Sequence, residues 1–88
     1  MLKLEYSTRF KRDIKRYQHK QDVIDDLNDV IQILLKKKKL PEKNVDHLLK
    51  GTYIGHRECH IQPNVLLIYK IYNDRLALER LGSHSELF

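Results

Sequence analysis

The feature that most constrains the fold is an apolar run of eight residues, Val65–Tyr72, with turn-forming residues on both sides. A run of this length and composition is typical of a central β-strand. Turn signals lie before it at 62–64, with Pro63 as the second residue, and after it at Asn73-Asp74. Strands are therefore expected at 53–61 and 75–81, which makes the second half of the chain an antiparallel sheet.

The first half has a different periodicity. Leu2–Tyr6 alternates apolar and polar residues and is predicted to be a short strand. A first amphipathic helix is expected from Ser7 or Thr8 to about His19 or Lys20, and a second across 23–35, where apolar residues recur at i, i+3, i+4 and i+7.

Leu40-Pro41 ends the second helix, 41–52 is expected to be a loop, and 83–88 a short tail after Gly82. The order β-α-α-β-β-β predicts class α+β. It corresponds to an antiparallel sheet of about four strands with two N-terminal helices packed on one face, within a single domain spanning 1–88.

The positive charge is concentrated in the N-terminal half. Residues 1–40 contain eleven Lys and Arg against six Asp and Glu, whereas 41–88 contain six of each. Such asymmetry is typical of a surface that binds a polyanion, although a solvated helical face is the alternative. The candidate RNA-binding face comprises Lys11, Lys15, Arg16, Lys36, Lys37, Lys38 and Lys39.

The cellular environment is suggested by what the chain lacks. It has a single cysteine, Cys59, no signal peptide, and no apolar run near the roughly 18 residues needed to span a bilayer. A cytoplasmic protein that does not contact membranes is expected.

Four of the five histidines lie in the second half, at His47, His56, His60 and His84, with Arg80 close to the last. Histidine can give or take a proton near neutral pH, and a fixed cation can stabilise the charge of a phosphorane. The set therefore fits cleavage of a phosphodiester without metal. Strand alternation predicts that Arg80 shares a face with Leu76 and Leu78, as either the rim of a cleft or a surface arginine.

A zinc site is the rival interpretation, because His56, Cys59 and His60 have spacing that resembles a ligand set. Neighbouring residues of a strand point to opposite faces, so Cys59 and His60 should not reach one ion. No metal and no other cofactor are expected, and Cys59 is predicted to be a core residue.

Three ordered motifs, followed by Leu87-Phe88, then carry a resemblance to a known family: Asp46-His47-x-Leu49-x-Gly51, Arg57-Glu58-x-His60-x-x-Pro63, and Leu78-x-Arg80-Leu81-Gly82-Ser83-His84. They closely resemble the YafQ branch of the RelE/ParE superfamily, the toxins of bacterial type II toxin–antitoxin systems. The resemblance implies a RelE-like fold and a ribosome-dependent mRNA interferase that cuts codons in the A site.

The resemblance also implies roles for individual residues. His47, His60, Arg80 and His84 fall on catalytic positions, and Phe88 on a position that helps to hold mRNA. Where well-known members have an acidic residue after the turn proline, this chain has Asn64, for which a substrate-positioning role is expected because an amide cannot accept a proton.

The implied partners are a cognate antitoxin, ribosomal RNA and mRNA. The antitoxin would form a hetero-oligomeric complex that can bind operator DNA through the antitoxin. Two alternatives stay open: a ParE-like toxin without nuclease activity, and an RNA- or antitoxin-binding module with weakened catalysis. The histidine set argues against the first, and Asn64 is the only hint of the second.

Overall fold

The computed structural model describes all residues from 1 to 88 and contains one five-stranded sheet. Its strands are β1 (Lys3–Tyr6), β2 (His47–Leu48), β3 (Arg57–Gln62), β4 (Val65–Tyr72) and β5 (Arg75–Gly82), in the spatial order β1-β5-β4-β3-β2. The apolar run is the middle strand β4, as its composition predicted.

Helices α1 (Thr8–Ile14) and α2 (Gln21–Leu35) follow β1, and a short α3 (His84–Leu87) follows β5. Two 3₁₀ turns, Glu42–Asn44 and Gly51–Tyr53, flank β2. The α+β class is confirmed. No helix has the length and apolar character needed to cross a membrane.

The sheet is mixed, so the prediction of a fully antiparallel sheet of about four strands was wrong in detail. β1 runs parallel to β5, with Lys3 opposite Arg75 and Tyr6 opposite Leu78. The two helices between β1 and the rest of the sheet allow this parallel crossover. The fifth strand, β2, has only two residues, too few to show an alternating pattern in the sequence.

Both long helices pack on one face of the sheet, as predicted. Eighteen buried residues form the core between them, among them Phe10, Leu27, Leu67 and Leu78. The opposite face carries a smaller cluster of four buried residues: Tyr53, Leu66, Ile68 and Leu87. This opposite face, called here the open face, also presents the charged side chains described below.

Three element boundaries differ from the predictions. α1 ends at Ile14, and turns continue to residue 19, since the Arg16 and Tyr17 amides donate to carbonyls three residues earlier. β3 begins at Arg57 because Gly55, with φ of 85°, turns the chain just before it. The expected tail is the helix α3.

The prediction that Arg80 shares a face with Leu76 and Leu78 was also wrong. Ile68 lies opposite Arg80 and Tyr69 lies opposite Leu78, which leaves Glu79 as an extra residue in β5. Such a bulge resets the alternation of side chains. Arg80 therefore lies on the face of Ile68, whereas Leu81 joins Leu78 in the helix-facing core.

Candidate active site

A cleft on the open face brings together three of the predicted site residues. His60 comes from the end of β3, Asn64 from the β3–β4 turn and His84 from the start of α3; the other lining residues are Pro63, Leu66, Ser83 and Ser85. The strand register explains why His60 and His84 line the same cleft. Leu66 of β4 lies opposite His60 of β3 and also opposite Gly82 of β5, two residues before His84.

The helix α3 holds His84 at the cleft through a capping box. The Ser83 hydroxyl accepts from the Glu86 amide at 3.3 Å, and the Ser83 amide donates to Glu86 Oε1 at 2.8 Å. The bond from the Ser83 backbone is the main reason that the pKa of Glu86 lies below its ordinary value. Gly82 leaves room for this arrangement, because a Cβ there would lie 3.1 Å from Glu86 Oε1.

An aromatic group borders the cleft. The rings of His84 and Phe88 are 5.1 Å apart, and Tyr53 packs edge-on against Phe88 at 5.9 Å. Phe88 is 56% exposed, so it offers an open aromatic surface beside His84 on which a base can stack. Tyr53 was not predicted as a site residue, since it was assigned to a strand that begins only at Arg57.

The Arg80 guanidinium is held by the carboxylate of Asp13 and the hydroxyl of Tyr53. Its Nε donates to Asp13 Oδ2 at 2.8 Å, its Nη2 donates to Asp13 Oδ1 at 3.3 Å, and its Nη1 donates to the Tyr53 hydroxyl at 3.4 Å. The bonds with Asp13 raise the pKa of Arg80 further above its ordinary value. The guanidinium is thus a permanent, oriented cation.

Asp13 is a functional candidate that the sequence interpretation missed. It is 4% exposed and also accepts a hydrogen bond from the Leu81 amide at 3.0 Å. A signal was present, because Asp13 stands three residues after Phe10 and four before Tyr17, on the apolar face of the first helix. A carboxylate at such a position needs a buried partner.

His47 lies on the open face but outside the cleft. It stands opposite Glu58 in the β2–β3 pair, and its Nε2 is 3.7 Å from Glu58 Oε1. Glu58 is buried and shares its face with His60, two residues along β3. Asp46 anchors this segment by accepting from Tyr69 Oη at 2.6 Å and from Arg57 Nε at 3.2 Å.

The predicted basic face divides into two separate regions. Lys11, Lys15 and Arg16 belong to α1 and the turn after it, and Arg16 Nη1 reaches Glu86 of α3 at 2.8 Å. Lys36–Lys39 follow α2, and Lys37 lies 4.0 Å from Asp74 at the start of β5. The cleft is at the other end of β5, about 23 Å away for eight residues of strand.

Cys59 and His60, two of the residues considered as zinc ligands, point to opposite faces of the sheet. Cys59 is fully buried in the helix-facing core, and burial raises its thiol pKa to about 12. His60 points to the opposite side, into the cleft. Nowhere do three or more His, Cys, Asp or Glu side chains converge in a geometry that could hold a metal ion.

The fold resembles that of known toxins. The chain superposes on a mutant toxin from Helicobacter pylori, solved with copper bound, with a TM-score of 0.93 and 45% identity over all of both chains. YafQ in the Escherichia coli DinJ–YafQ complex gives a TM-score of 0.88 and 32% identity, over 100% of this chain and 99% of that one. YoeB from a Staphylococcus aureus complex, at 16% identity and a TM-score of 0.79, shares the fold. These neighbours define the class as the RelE-like α+β toxins.

Sequence comparison gives the particular family. The family model for YafQ, a bacterial toxin of type II toxin–antitoxin systems, matches residues 2–88. The mRNA interferase toxin YafQ of Escherichia coli K12 is 34% identical over 86 residues, which cover 97% of this chain and 94% of that protein. The chain therefore belongs to the YafQ family of type II toxins, as its motifs indicated.

Proposed function

We propose that this toxin is an mRNA endoribonuclease that works on the ribosome and cuts the codon presented in the A site. The observation that carries the proposal is the cleft lined by both His60 and His84, with Phe88 stacked beside His84 and Arg80 joined to the same aromatic group through Tyr53. The mRNA interferase name of the Escherichia coli relative supports the same activity.

The chemistry proposed is metal-free attack by a ribose 2′-hydroxyl. One neutral imidazole takes the 2′-hydroxyl proton, O2′ forms a bond to the adjacent phosphorus, and the P–O5′ bond breaks. A protonated imidazole gives its proton to the departing O5′. The products are a 2′,3′-cyclic phosphate and a 5′-hydroxyl end. His84 is one proton-transfer group, and His60 or His47 is the other.

Arg80 and Asn64 would act on the phosphate without exchanging protons. The Arg80 guanidinium remains charged and would stabilise the extra negative charge of the pentacoordinate transition state. Asn64 is exposed at the mouth of the cleft, where its amide can donate a hydrogen bond to a phosphate oxygen. Phe88 would stack on a base of the mRNA.

The proposed partners follow from charge and from the relatives. Lys11 and Lys15, together with Lys36–Lys39, are exposed and would contact ribosomal RNA phosphates from both ends of the sheet. Ribosome association should then weaken steeply as salt rises. Because YafQ of Escherichia coli was solved with the antitoxin DinJ, we also propose a cognate antitoxin, in a hetero-oligomer that binds operator DNA through that antitoxin.

Expression of the chain without its antitoxin tests the activity. Native protein should arrest growth and produce transcripts cut within codons, whereas His84→Ala should do neither. His19→Ala is the matched control, since His19 is exposed in the turn after α1 and does not line the cleft. Growth arrest by His84→Ala with no cut transcripts in either strain would instead favour a toxin without nuclease activity.

A further inference from the structure

A second concave surface, which shares no lining residue with the cleft, contains only charged side chains. Arg9, Arg12 and Arg16 of the first helical segment, Arg80 of β5, and Asp13 between them line it, and we call it the arginine groove. Arg9, Arg12 and Arg16 recur at i, i+3 and i+7, which places them on one side of the helix. Lys11 and Lys15 do not line the groove.

We propose that the arginine groove binds a backbone phosphate of the substrate RNA next to the phosphate that is cut. The inference rests on the proposed nuclease function and assigns to α1 the task of holding the substrate strand. Arg80 links the groove to the aromatic group beside the cleft, since its Nε and Nη2 donate to Asp13 in the groove while its Nη1 donates to Tyr53, which packs against Phe88.

The charges of the groove favour an anion. Four guanidinium groups surround one carboxylate, and that carboxylate is already used by Arg80 and the Leu81 amide. Arg16 donates through Nη1 to Glu86, whereas Arg9 and Arg12 are exposed and make no side-chain hydrogen bond or ion pair. The unpaired guanidinium groups of Arg9 and Arg12, next to the fixed guanidinium of Arg80, can each donate two hydrogen bonds to the oxygens of a phosphodiester.

The composition of the groove favours RNA over a protein segment. None of its five lining residues is hydrophobic, so an antitoxin peptide would find no pocket for an apolar anchor residue there. A nucleic acid strand needs none, because phosphate contacts supply most of its affinity. A strand whose scissile phosphate reaches Arg80 must also pass close to the groove.

The test measures binding of a single-stranded RNA oligonucleotide that is 2′-O-methylated throughout, so that it cannot be cut. Arg9→Ala/Arg12→Ala should weaken binding about tenfold at low salt, the value of one or two charged hydrogen bonds. The slope of log affinity against log salt should become shallower by about 0.7 for each phosphate that the variant no longer neutralises.

Lys3→Ala/Lys43→Ala is the matched control, because it removes the same charge from two exposed side chains that lie outside the groove and outside the candidate RNA-binding face. It should leave oligonucleotide binding within about twofold of the native value. Arg9→Lys/Arg12→Lys should bind with intermediate affinity, since lysine keeps the positive charge but cannot donate the paired hydrogen bonds of a guanidinium. Thermal unfolding of each variant checks that the fold is intact.

Equal losses of oligonucleotide affinity in the arginine and lysine double-alanine variants would show that only overall positive charge matters, and would overturn the assignment of a phosphate site to the groove. Unchanged RNA binding with weakened antitoxin association would assign the groove to the antitoxin instead. The outcome is separable from that of the nuclease proposal, because a chain that cuts no RNA can still be tested for binding the methylated strand. Native cleavage with unchanged binding by Arg9→Ala/Arg12→Ala would reject the groove alone.

Discussion

At the scale of single residues, the site depends on how charged groups are held as much as on which groups are present. The catalytic role proposed for Arg80 requires a fixed guanidinium, and Asp13 and Tyr53 fix it from two sides. The sequence identified Arg80 through the family motif. It did not identify Asp13, because the partner lies 67 residues earlier in the chain and only the fold brings the two together.

Asp13→Asn tests this positioning. Breaking the nearly buried pair leaves a guanidinium without its counter-charge, so unfolding free energy should fall by about 3 kcal/mol. Cleavage at saturating protein should fall about a hundredfold through misplacement of Arg80. Denaturant unfolding and single-turnover cleavage measure the two effects.

The double variant Asp13→Asn/Arg80→Leu separates stability from catalysis. It removes the unpaired charge and retains an amide oxygen for the Leu81 amide, so stability should recover while cleavage remains lost. Recovery of cleavage in the double variant would show that Arg80 has only a structural role.

At the scale of elements, the long periodic segments were predictable and the short ones were not. The positions of α2 and β4 follow from twelve or more residues of helical spacing and from a clear apolar run. The two-residue β2, the bulge at Glu79 and the four-residue α3 depend on tertiary contacts and have no periodicity to detect. The cleft lies where α3 meets the end of β3 and the β3–β4 turn, and so its geometry had to come from the structure.

Ser83→Ala tests whether the capping box of α3 positions His84. Loss of the cap should cost about 1 kcal/mol, confined to this short helix, and should lower cleavage by about the fivefold that this energy represents. Ser85→Ala is the control, because its hydroxyl contacts only that of Ser83. A Ser83→Ala protein that cleaves at the native rate would mean that packing of Leu87 alone holds α3.

Glu86 gives the same element a predictable acid dependence. Hydrogen bonds from Ser83 lower the pKa of Glu86 below its ordinary 4.5. The stabilisation that the ionised Glu86 carboxylate gives the folded protein is therefore complete above pH 4.5 and is lost as the pH falls through the lowered pKa. In Glu86→Gln this acid-dependent part of the stability should be absent. Unfolding free energies measured across this pH range should differ in slope between the two proteins, and parallel curves would contradict the assignment.

At the scale of the whole molecule, the sheet separates the main core from the candidate site. One face packs α1 and α2 over the main core, and the other presents the cleft, Arg80 and the His47–Glu58 pair. Strand alternation predicted this separation for Cys59 and His60 and thereby excluded their joint binding of zinc. The parallel β1–β5 pair was not predictable in the same way, because nothing local in β1 specifies its partner.

Cys59 offers a probe of the intact core. Its thiol is fully buried and has a pKa of about 12, so it should react with a disulfide reagent at neutral pH only when the molecule opens. Labelling should therefore be slow in buffer and should accelerate with denaturant in step with unfolding. Rapid complete labelling of the native protein would contradict the packing described for β3.

The chemistry of the cut ends tests the central claim most directly. An mRNA cleaved by the purified toxin on ribosomes should carry a 5′-hydroxyl on the downstream fragment and a cyclic or 3′-phosphate on the upstream one. A single 2′-deoxy nucleotide just upstream of the cut should abolish cleavage at that position, since the attacking oxygen is gone. Fragments with 5′-phosphate and 3′-hydroxyl ends, or undiminished cutting of the deoxy substrate, would show that water attacks the phosphate and would contradict this account.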